Sequence, residues 1–249
     1  MAWPTSTVPQ KIAPEQIHVW GWPLDSPLEA AQVALLDEEE LDRFHRFRFE
    51  PDRTRFAIAH ATMRKILGAY LQTAPDHVLF RTNRFGKPEL AGDQQSTPLH
   101  FNLSHSRSVA LLALSKDIEV GVDIEDVHPV ERDVAESYFS AAERTALGSL
   151  DGNAWVDGFY RCWTRKEAIL KGEGVGLNLA LDSFDVSLAP GVPAELLDAR
   201  PTAGFRHRWK LHDLPVAAGS AAALAAGSSR AEVFCFSVDG QAGSLKAAR

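Results

Sequence analysis

Val120-Gly121-Val122-Asp123-Ile124-Glu125 is the stretch from which the rest of the chain is read. Three β-branched residues alternate with Gly121, Asp123 and Glu125, the period-two pattern of a strand with one apolar face. Side chains two apart on a strand share a face and lie about 7 Å apart. Asp123 and Glu125 therefore project together, opposite Val120, Val122 and Ile124. Neighbouring carboxylates repel unless something positive lies between them. A hard divalent cation such as Mg2+, which takes oxygen ligands and keeps several waters, is one natural partner. A solvated strand face is the plain alternative, and the stretch alone leaves both open.

About forty residues downstream stands Phe159-Tyr160-Arg161-Cys162-Trp163-Thr164-Arg165-Lys166-Glu167-Ala168-Ile169-Leu170-Lys171. Three-four spacing puts Phe159, Trp163, Lys166, Glu167 and Leu170 on one helical face, with Lys171 a turn beyond Glu167. A third carboxylate beside two lysines suits a metal-pyrophosphate site. A plain Glu167–Lys171 helix pair is the alternative. Upstream, Phe101-Asn102-Leu103-Ser104-His105-Ser106 ends a strand in small polar groups and one imidazole, suited to hydrogen bonding a phosphate; no nucleophile-elbow pattern surrounds Ser104. Gly86-Lys87-Pro88 reads as a turn carrying one cation. Arg43, Arg46, Arg48, Arg53, Arg55, Arg64 and Lys65 crowd a stretch with only three acids between 41 and 65, which suits a polyphosphate, an acidic partner or a solvated helix face. Gly172-Glu173-Gly174-Val175-Gly176 follows a helix and lacks the spacing of a nucleotide-binding loop, so it reads as a helix stop and turn.

The rest of the chain supplies a frame for these segments. It has 249 residues, 45% hydrophobic and 24% charged, which excludes a disordered chain, a collagen-like chain and a coiled coil. A net charge of −7 argues against whole-molecule attraction to nucleic acid or an anionic membrane. Two cysteines, Cys162 and Cys235, make neither a disulfide framework nor a structural zinc site. The start lacks a basic and apolar leader, and the apolar stretch at 216–226 is too short to cross a bilayer. The expected address is the cytosol.

A strand is expected at 17–20. Asp37 and Glu40 have capping-box spacing, with Leu36 and Leu41 as a hydrophobic staple. Phe56, Ala59, Met63, Ile66, Leu67, Tyr70 and Leu71 form the apolar stripe of a helix over 52–72. Strands are expected at 78–82, 99–103, 109–114 and 119–124. A helical region follows Pro129, with a second capping box at Ser140 and Glu143. A helix over 153–171 is expected to stop at Gly172, and strands at 183–188, 205–211 and 233–238. Pro190–Pro193 and the stretch 216–229 read as loops, and the two ends of the chain as loose. Helices precede strands twice over, so the chain is α+β, with halves 1–117 and 118–249.

Taken in order, Gly86-Lys87-Pro88, Phe101 to Ser106, Val120 to Glu125 and Trp163 to Leu177 resemble the larger, surfactin-synthetase-activating type of 4′-phosphopantetheinyl transferase. The resemblance covers roughly residues 36–188, and the Gly-Val-Asp-Ile-Glu and Trp-Thr-Arg-Lys-Glu-Ala-Ile-Leu-Lys pieces are specific together. It implies two similar α+β halves with coenzyme A in the cleft between them. It implies transfer of the phosphopantetheine arm to a serine of an apo acyl or peptidyl carrier protein, releasing adenosine 3′,5′-bisphosphate. By resemblance, Asp123, Glu125 and Glu167 bind Mg2+; Glu167 or a metal-bound water is the base; Lys171 and Lys166 neutralise the pyrophosphate. Lys87, Ser104, His105 and a basic residue among Arg43, Arg46 and Arg55 hold the nucleotide phosphates. A monomer is implied, and neither nucleic acid nor membrane as a partner. Val130, Val134, Tyr138 and Phe139 offer apolar contacts for the carrier. Glu119 stands where many relatives have proline, Glu38 to Glu40 where many have basic residues, and the part after Leu188 matches no pattern of the family. A non-catalytic carrier-binding or coenzyme A-binding module on the same fold is the alternative, as is a phosphodiesterase that uses water as acceptor.

Overall fold

The computed structural model describes residue 3 and residues 11–200, 204–205, 209–238 and 245–247. The expectations for the N-terminal stretch and the tail lie largely outside these residues, as do residues 206–208 of the strand expected at 205–211. β1 (Gln16–Pro23) is followed by α1 (Ala30–Val33), α2 (Glu38–Arg46) and α3 (Glu50–Leu71). A hairpin of β2 (Phe80–Thr82) and β3 (Pro88–Leu90) leads to β4 (His100–His105), β5 (Val109–Ser115) and β6 (Val120–Asp126). Then come α4 (Arg132–Tyr138), α5 (Ala141–Gly148) and α6 (Gly152–Glu173). The remaining strands are β7 (Phe184–Val186), β8 (Leu196–Ala199), β9 (Lys210–Asp213), β10 (Ser220–Ala226), β11 (Glu232–Val238) and β12 (Leu245–Ala247).

Two sheets carry the architecture. One has the order β12-β11-β1-β5-β4, with β1 parallel to β11 and antiparallel to β5. The other is antiparallel, in the order β6-β10-β9. Alternation along the strands builds the layers. In β1, Trp20 and Trp22 join Ile58, Met63 and Leu67 of α3 in one core. Ile17 and Val19 face the other way, toward Val120, Val122 and Ile124 of β6 and Leu224 of β10. A third core lies under α6, where Ala168, Ile169 and Leu170 meet Ala223 and Ala225 of β10. The order of layers is thus α3, first sheet, second sheet, α6, two mixed α+β parts with a 22-residue helix on each.

Both capping boxes form: Asp37 with Glu40 at α2 and Ser140 with Glu143 at α5. Leu36 and Leu41 pack in one cluster with Phe44 and Phe56, as a staple should. Three expectations are corrected. α6 runs through Gly172 and ends at Gly174, whose left-handed φ of 65° makes the cap. The stretch 216–229 is not all loop, because β10 occupies its centre and pairs along the whole length of β6. Alanine is poor at forming strands, but its small side chain lets α6 approach. β11, far along the chain, joins the first sheet beside β1 instead of staying with the second.

Gly121 sets the distance between β6 and α6. A Cβ at Gly121 would lie 2.0 Å from the Ala168 carbonyl oxygen and 2.3 Å from the Gly172 nitrogen. Gly172 in turn gives its space to the Trp209 ring, 2.5 Å from where a Cβ would be. The atoms facing Gly121 are backbone, so no rotamer change can make room. Gly121→Ala is expected to cost about 3 kcal/mol, the upper end of core overpacking, and to lower Tm by about 5–10 °C. Gly148→Ala, at a helical glycine with nothing within 4 Å, should leave Tm within about 2 °C. Thermal unfolding followed by circular dichroism measures both.

Candidate functional site

Asp123 and Glu125 project from the α6 side of β6, opposite Val120, Val122 and Ile124. α6 crosses behind them and carries Glu167 and Lys171. The Lys171 Nζ donates to Asp123 Oδ1 at 2.5 Å and to Ser104 Oγ at 2.8 Å. Among the described residues no ion pair joins Glu167 to Lys171; the lysine is turned to the strand, and the plain helix-pair reading does not hold. Asp123 is buried, and its Oδ2 has no hydrogen-bond partner.

The electrostatics reflect this crowding. Burial pushes the Glu125 carboxyl up, the negative Asp123 and Glu167 add to it, and Lys171 and a hydrogen bond from Trp163 oppose it; the result is about 7. Burial and Asp123 also raise Glu167, against the pull of Lys171. Three acids thus share one place with a single ammonium among them. Their oxygens are the donor set a hard cation takes, and the orphaned Oδ2 is an acceptor left for one. The residues fit Mg2+ in donor chemistry and charge. They do not stand as a ready cage, since among the described residues no group of three such side chains is already drawn together around one point.

The first sheet meets this site along a seam of side chains. Asn102 Oδ1 accepts from the Val122 N–H at 2.8 Å, and Ser104 Oγ from the Ile124 N–H at 3.4 Å. Ser106 Oγ and the Arg107 N–H donate to the two oxygens of Asp126 at 2.9 and 3.2 Å. β4 therefore satisfies the outer edge of β6 without a backbone ladder. This uses up Ser104: its hydroxyl donates to Asp123 Oδ1 at 3.0 Å and accepts from Lys171 and Ile124. One donor and two acceptor sites are all a hydroxyl has. Ser104 thus positions Asp123 and Lys171.

His105, at the end of β4, does face a positive environment. His60, Lys171 and Arg43 oppose a charge on its imidazole, whose side chain is exposed to solvent. Such a group of mutually repelling positive charges is one that an anion relieves. Arg43 is held over the Phe56 ring, 5.1 Å from its centroid. Arg55 pairs with Asp52 at 3.1 Å. Arg64, counted with the basic run, is fully buried between Asp37 and Glu40.

The two remaining lysines are held by the chain itself. Lys166 is adjacent to Glu167 in sequence and so about 100° away around the helix. Its fully buried ammonium donates to the carbonyls of Leu181 and Phe184 at 2.6 and 2.5 Å and pairs with Glu143 at 2.8 Å. It anchors α6 to the core below. Lys87 donates to the Gly172 carbonyl at 2.9 Å, with Glu119 Oε2 and the Val120 carbonyl at 3.5 Å. It tethers the β2–β3 hairpin to the end of α6. Glu119 is part of that tether.

A cleft of about 300 Å³ opens beside the acids, lined from both sides by Phe85, Lys87, Asn102, Leu103, Glu167 and Lys171. Of the apolar residues after β6, Phe139 is core, and Val130 and Val134 pack against that core. Tyr138 is 46% exposed and sits edge-on to Trp163, ring centroids 5.7 Å apart. Asn102, His60 and Trp163 are the residues that sequence reasoning did not place at the site. Asn102 and Ser104 at period two, opposite Phe101 and Leu103, were the available signal of a buried edge needing acceptors.

Residues 119–225 match the family model described as the 4′-phosphopantetheinyl transferase superfamily, and residues 21–117 one described as 4′-phosphopantetheinyl transferase, N-terminal. The first match runs well past Leu188, so the second sheet through β10 is part of the family pattern. The 4′-phosphopantetheinyl transferase HetI of Nostoc sp. is 36% identical over 189 residues, 74% of this chain and 79% of the relative. A putative 4′-phosphopantetheinyl transferase of Synechocystis sp. is 32% identical over 208 residues, covering 82% and 81%. The 4′-phosphopantetheinyl transferase Sfp of Bacillus subtilis is 30% identical over 176 residues, covering 69% and 77%.

Crowded acids leave a mark on stability. Glu125 has a folded pKa of about 7 against 4.5 in the unfolded chain, so between those values the folded protein holds the extra proton. The stability contributed by Glu125 therefore falls as pH rises from about 4.5 to about 7 and is flat above. Glu125→Gln removes the charge and that slope. In the presence of a chelator it is expected to raise Tm by about 2–4 °C at pH 8, the effect of ~1 kcal/mol in a chain of this size, and by less at pH 5. An equal shift at both values would mean that charge crowding is not its cause.

Proposed function

The chain belongs to the 4′-phosphopantetheinyl transferase superfamily, and from that premise we propose how its site moves the phosphopantetheine arm of coenzyme A to a serine of an apo carrier protein. The observation that carries the reading is the meeting of Asp123, Glu125, Glu167 and Lys171 where β6 touches α6, beside a cleft lined by both parts of the chain. The division that goes with it is 1–117 and 118–249, with β11 lent back to the first sheet. The active site lies in the cleft between the two parts, and because both are in one chain, a monomer suffices. No helix among the described residues is long and apolar enough to cross a membrane; the cytosol is the proposed place of work.

Asp123, Glu125 and Glu167 would hold Mg2+, which when bound neutralises pyrophosphate oxygens and the charge that develops on them. Lys171 supplies the protein's own cation to the leaving phosphate. Glu167 takes the proton of the carrier serine. The serine oxygen bonds to the phosphorus that carries the pantetheine arm, the bond from that phosphorus to the bridging oxygen breaks, and adenosine 3′,5′-bisphosphate leaves. Arg43 and His105 bind the nucleotide end of the donor. Positioning and electrostatics supply most of such a transfer, with no covalent enzyme intermediate. The acceptor is an acyl or peptidyl carrier protein, and Tyr138, exposed and packed on Trp163, is the apolar contact next to the site.

Two measurements follow from this reading. Incubation with coenzyme A, Mg2+ and a panel of apo carriers, read by intact mass, should show the gain of one phosphopantetheine on at least one carrier. Asp123→Ala should abolish the gain, and Glu167→Gln should lower kcat about 10²–10⁴-fold, the span of a general base. Undiminished transfer by Asp123→Ala in EDTA would sink the metal assignment. Separately, Tyr138→Ala should raise KM for the carrier several-fold, about the effect of losing one exposed aromatic contact, and leave KM for coenzyme A unchanged. Equal change in both would return Tyr138 to a structural role.

A further inference from the structure

Glu40 is an acid at the edge of a basic region, and the structure gives it an unexpected task. Its Oε2 accepts from Arg64 Nε at 2.6 Å and from the Asp37 N–H at 3.1 Å. Its Oε1 is paired with His60 Nδ1 at 2.7 Å. Burial opposes its ionisation, but His60 and Arg64 outweigh burial and hold the carboxyl below its ordinary range. A carboxylate only accepts, so the His60 proton lies on Nδ1 and Nε2 points its lone pair or second proton away from Glu40. Nε2 makes no hydrogen bond among the described residues. The ring cannot swing freely, since it lies on Phe56 with centroids 4.0 Å apart, and Arg43 covers the same Phe56 ring. His60 is one of the three groups, with Lys171 and Arg43, whose charge bears on His105.

We propose that His60, aimed by Glu40, is a binding residue for the phosphate monoester of the donor, acting beside Arg43 and His105. This rests on the coenzyme A reading above. That donor carries two anionic groups, a pyrophosphate and a ribose phosphate. The reacting pyrophosphate must lie with Lys171 and the three acids. The second cluster, made of Arg43, His60 and His105, then has the remaining phosphate to receive. Glu40 never touches the anion. Arg64 and the helix cap compensate its charge, and its role is to fix the tautomer and angle of the imidazole, as carboxylates do behind metal-bound histidines. An acid in a place where a base would be the plain choice is thereby compatible with phosphate binding.

The test compares coenzyme A with dephospho-coenzyme A, which lacks only the ribose phosphate, by titration calorimetry in Mg2+. His60→Ala should weaken coenzyme A binding about tenfold, the effect of losing one charge-assisted hydrogen bond, and change dephospho-coenzyme A less than about twofold. His60→Gln, which can still donate, should lose less. Glu40→Gln should shift the ratio of the two affinities in the same direction, a change that mere loosening of the α2 cap would not produce. Equal losses for both donors, or none, overturn the proposal. Wild type binding both donors alike overturns it too, while arm transfer seen by mass would leave the coenzyme A reading standing. Absence of both binding and transfer removes that reading with it.

Discussion

Direct contact of the β6 backbone with the α6 backbone at Gly121 is the constraint on which the rest of the site depends. Side chains normally keep a helix and a sheet about 10 Å apart. Here the strand has no Cβ at the crossing, and the helix shows it the Ala168 carbonyl and the Gly172 nitrogen. Alanines at 223 and 225 of β10 keep the neighbouring strand equally low. The helix therefore comes close enough for Lys171 to reach Asp123 on the strand. Any residue larger than glycine at 121 would lift the helix, and with it Glu167 and Lys171, away from the acids of β6.

A second constraint holds the strand at its other side. β6 is the last strand of its sheet, and an open edge leaves N–H groups without partners. Asn102 and Ser104 of β4 take those of Val122 and Ile124. This joins the two sheets through side chains at the point where the functional groups stand. Ser104 is central to it: its hydroxyl links the seam, Asp123 and Lys171 at once.

Much of this was legible in the chain. The period-two pattern of 120–125 gave the correct face for Asp123 and Glu125, the capping boxes gave the starts of α2 and α5, and the stripe from Phe56 to Leu71 gave α3. What failed did so for definable reasons. Spacing put Lys166 near Glu167 on one helical face, but neighbours 100° apart diverge, and the lysine found buried carbonyls and Glu143. β10 read as a loop because alanine signals no strand by itself; its value lies in how little room it takes. Lys87 read as a free cation because no local pattern reveals that a helix end, 85 residues later, offers it a carbonyl. The Glu40–His60 pair spans 20 residues and two helices, so the acid looked like helix capping alone.

The two charge imbalances that remain are of opposite sign. Around Asp123, acids outnumber the one ammonium; Oδ2 is unpaired, and burial together with the neighbouring acids raises Glu125 to about 7. Around His105, the positive groups His60, Lys171 and Arg43 gather and oppose its ionisation. A protein selected for stability alone would mix the two sets and cancel both. Here the seam and the glycine crossing hold the acids in place, and the Phe56 platform holds Arg43 and His60. Each cluster is destabilised by its own like charges, and each would be relieved by a different part of one ligand: a cation for the acids, an anion for the bases. A nucleotide bearing a cation on its pyrophosphate and a separate phosphate at its far end meets both needs at once. Binding such a molecule recovers the electrostatic energy that the folded chain forgoes when empty, and this ties the donor's affinity to the geometry of two distinct clusters instead of to one.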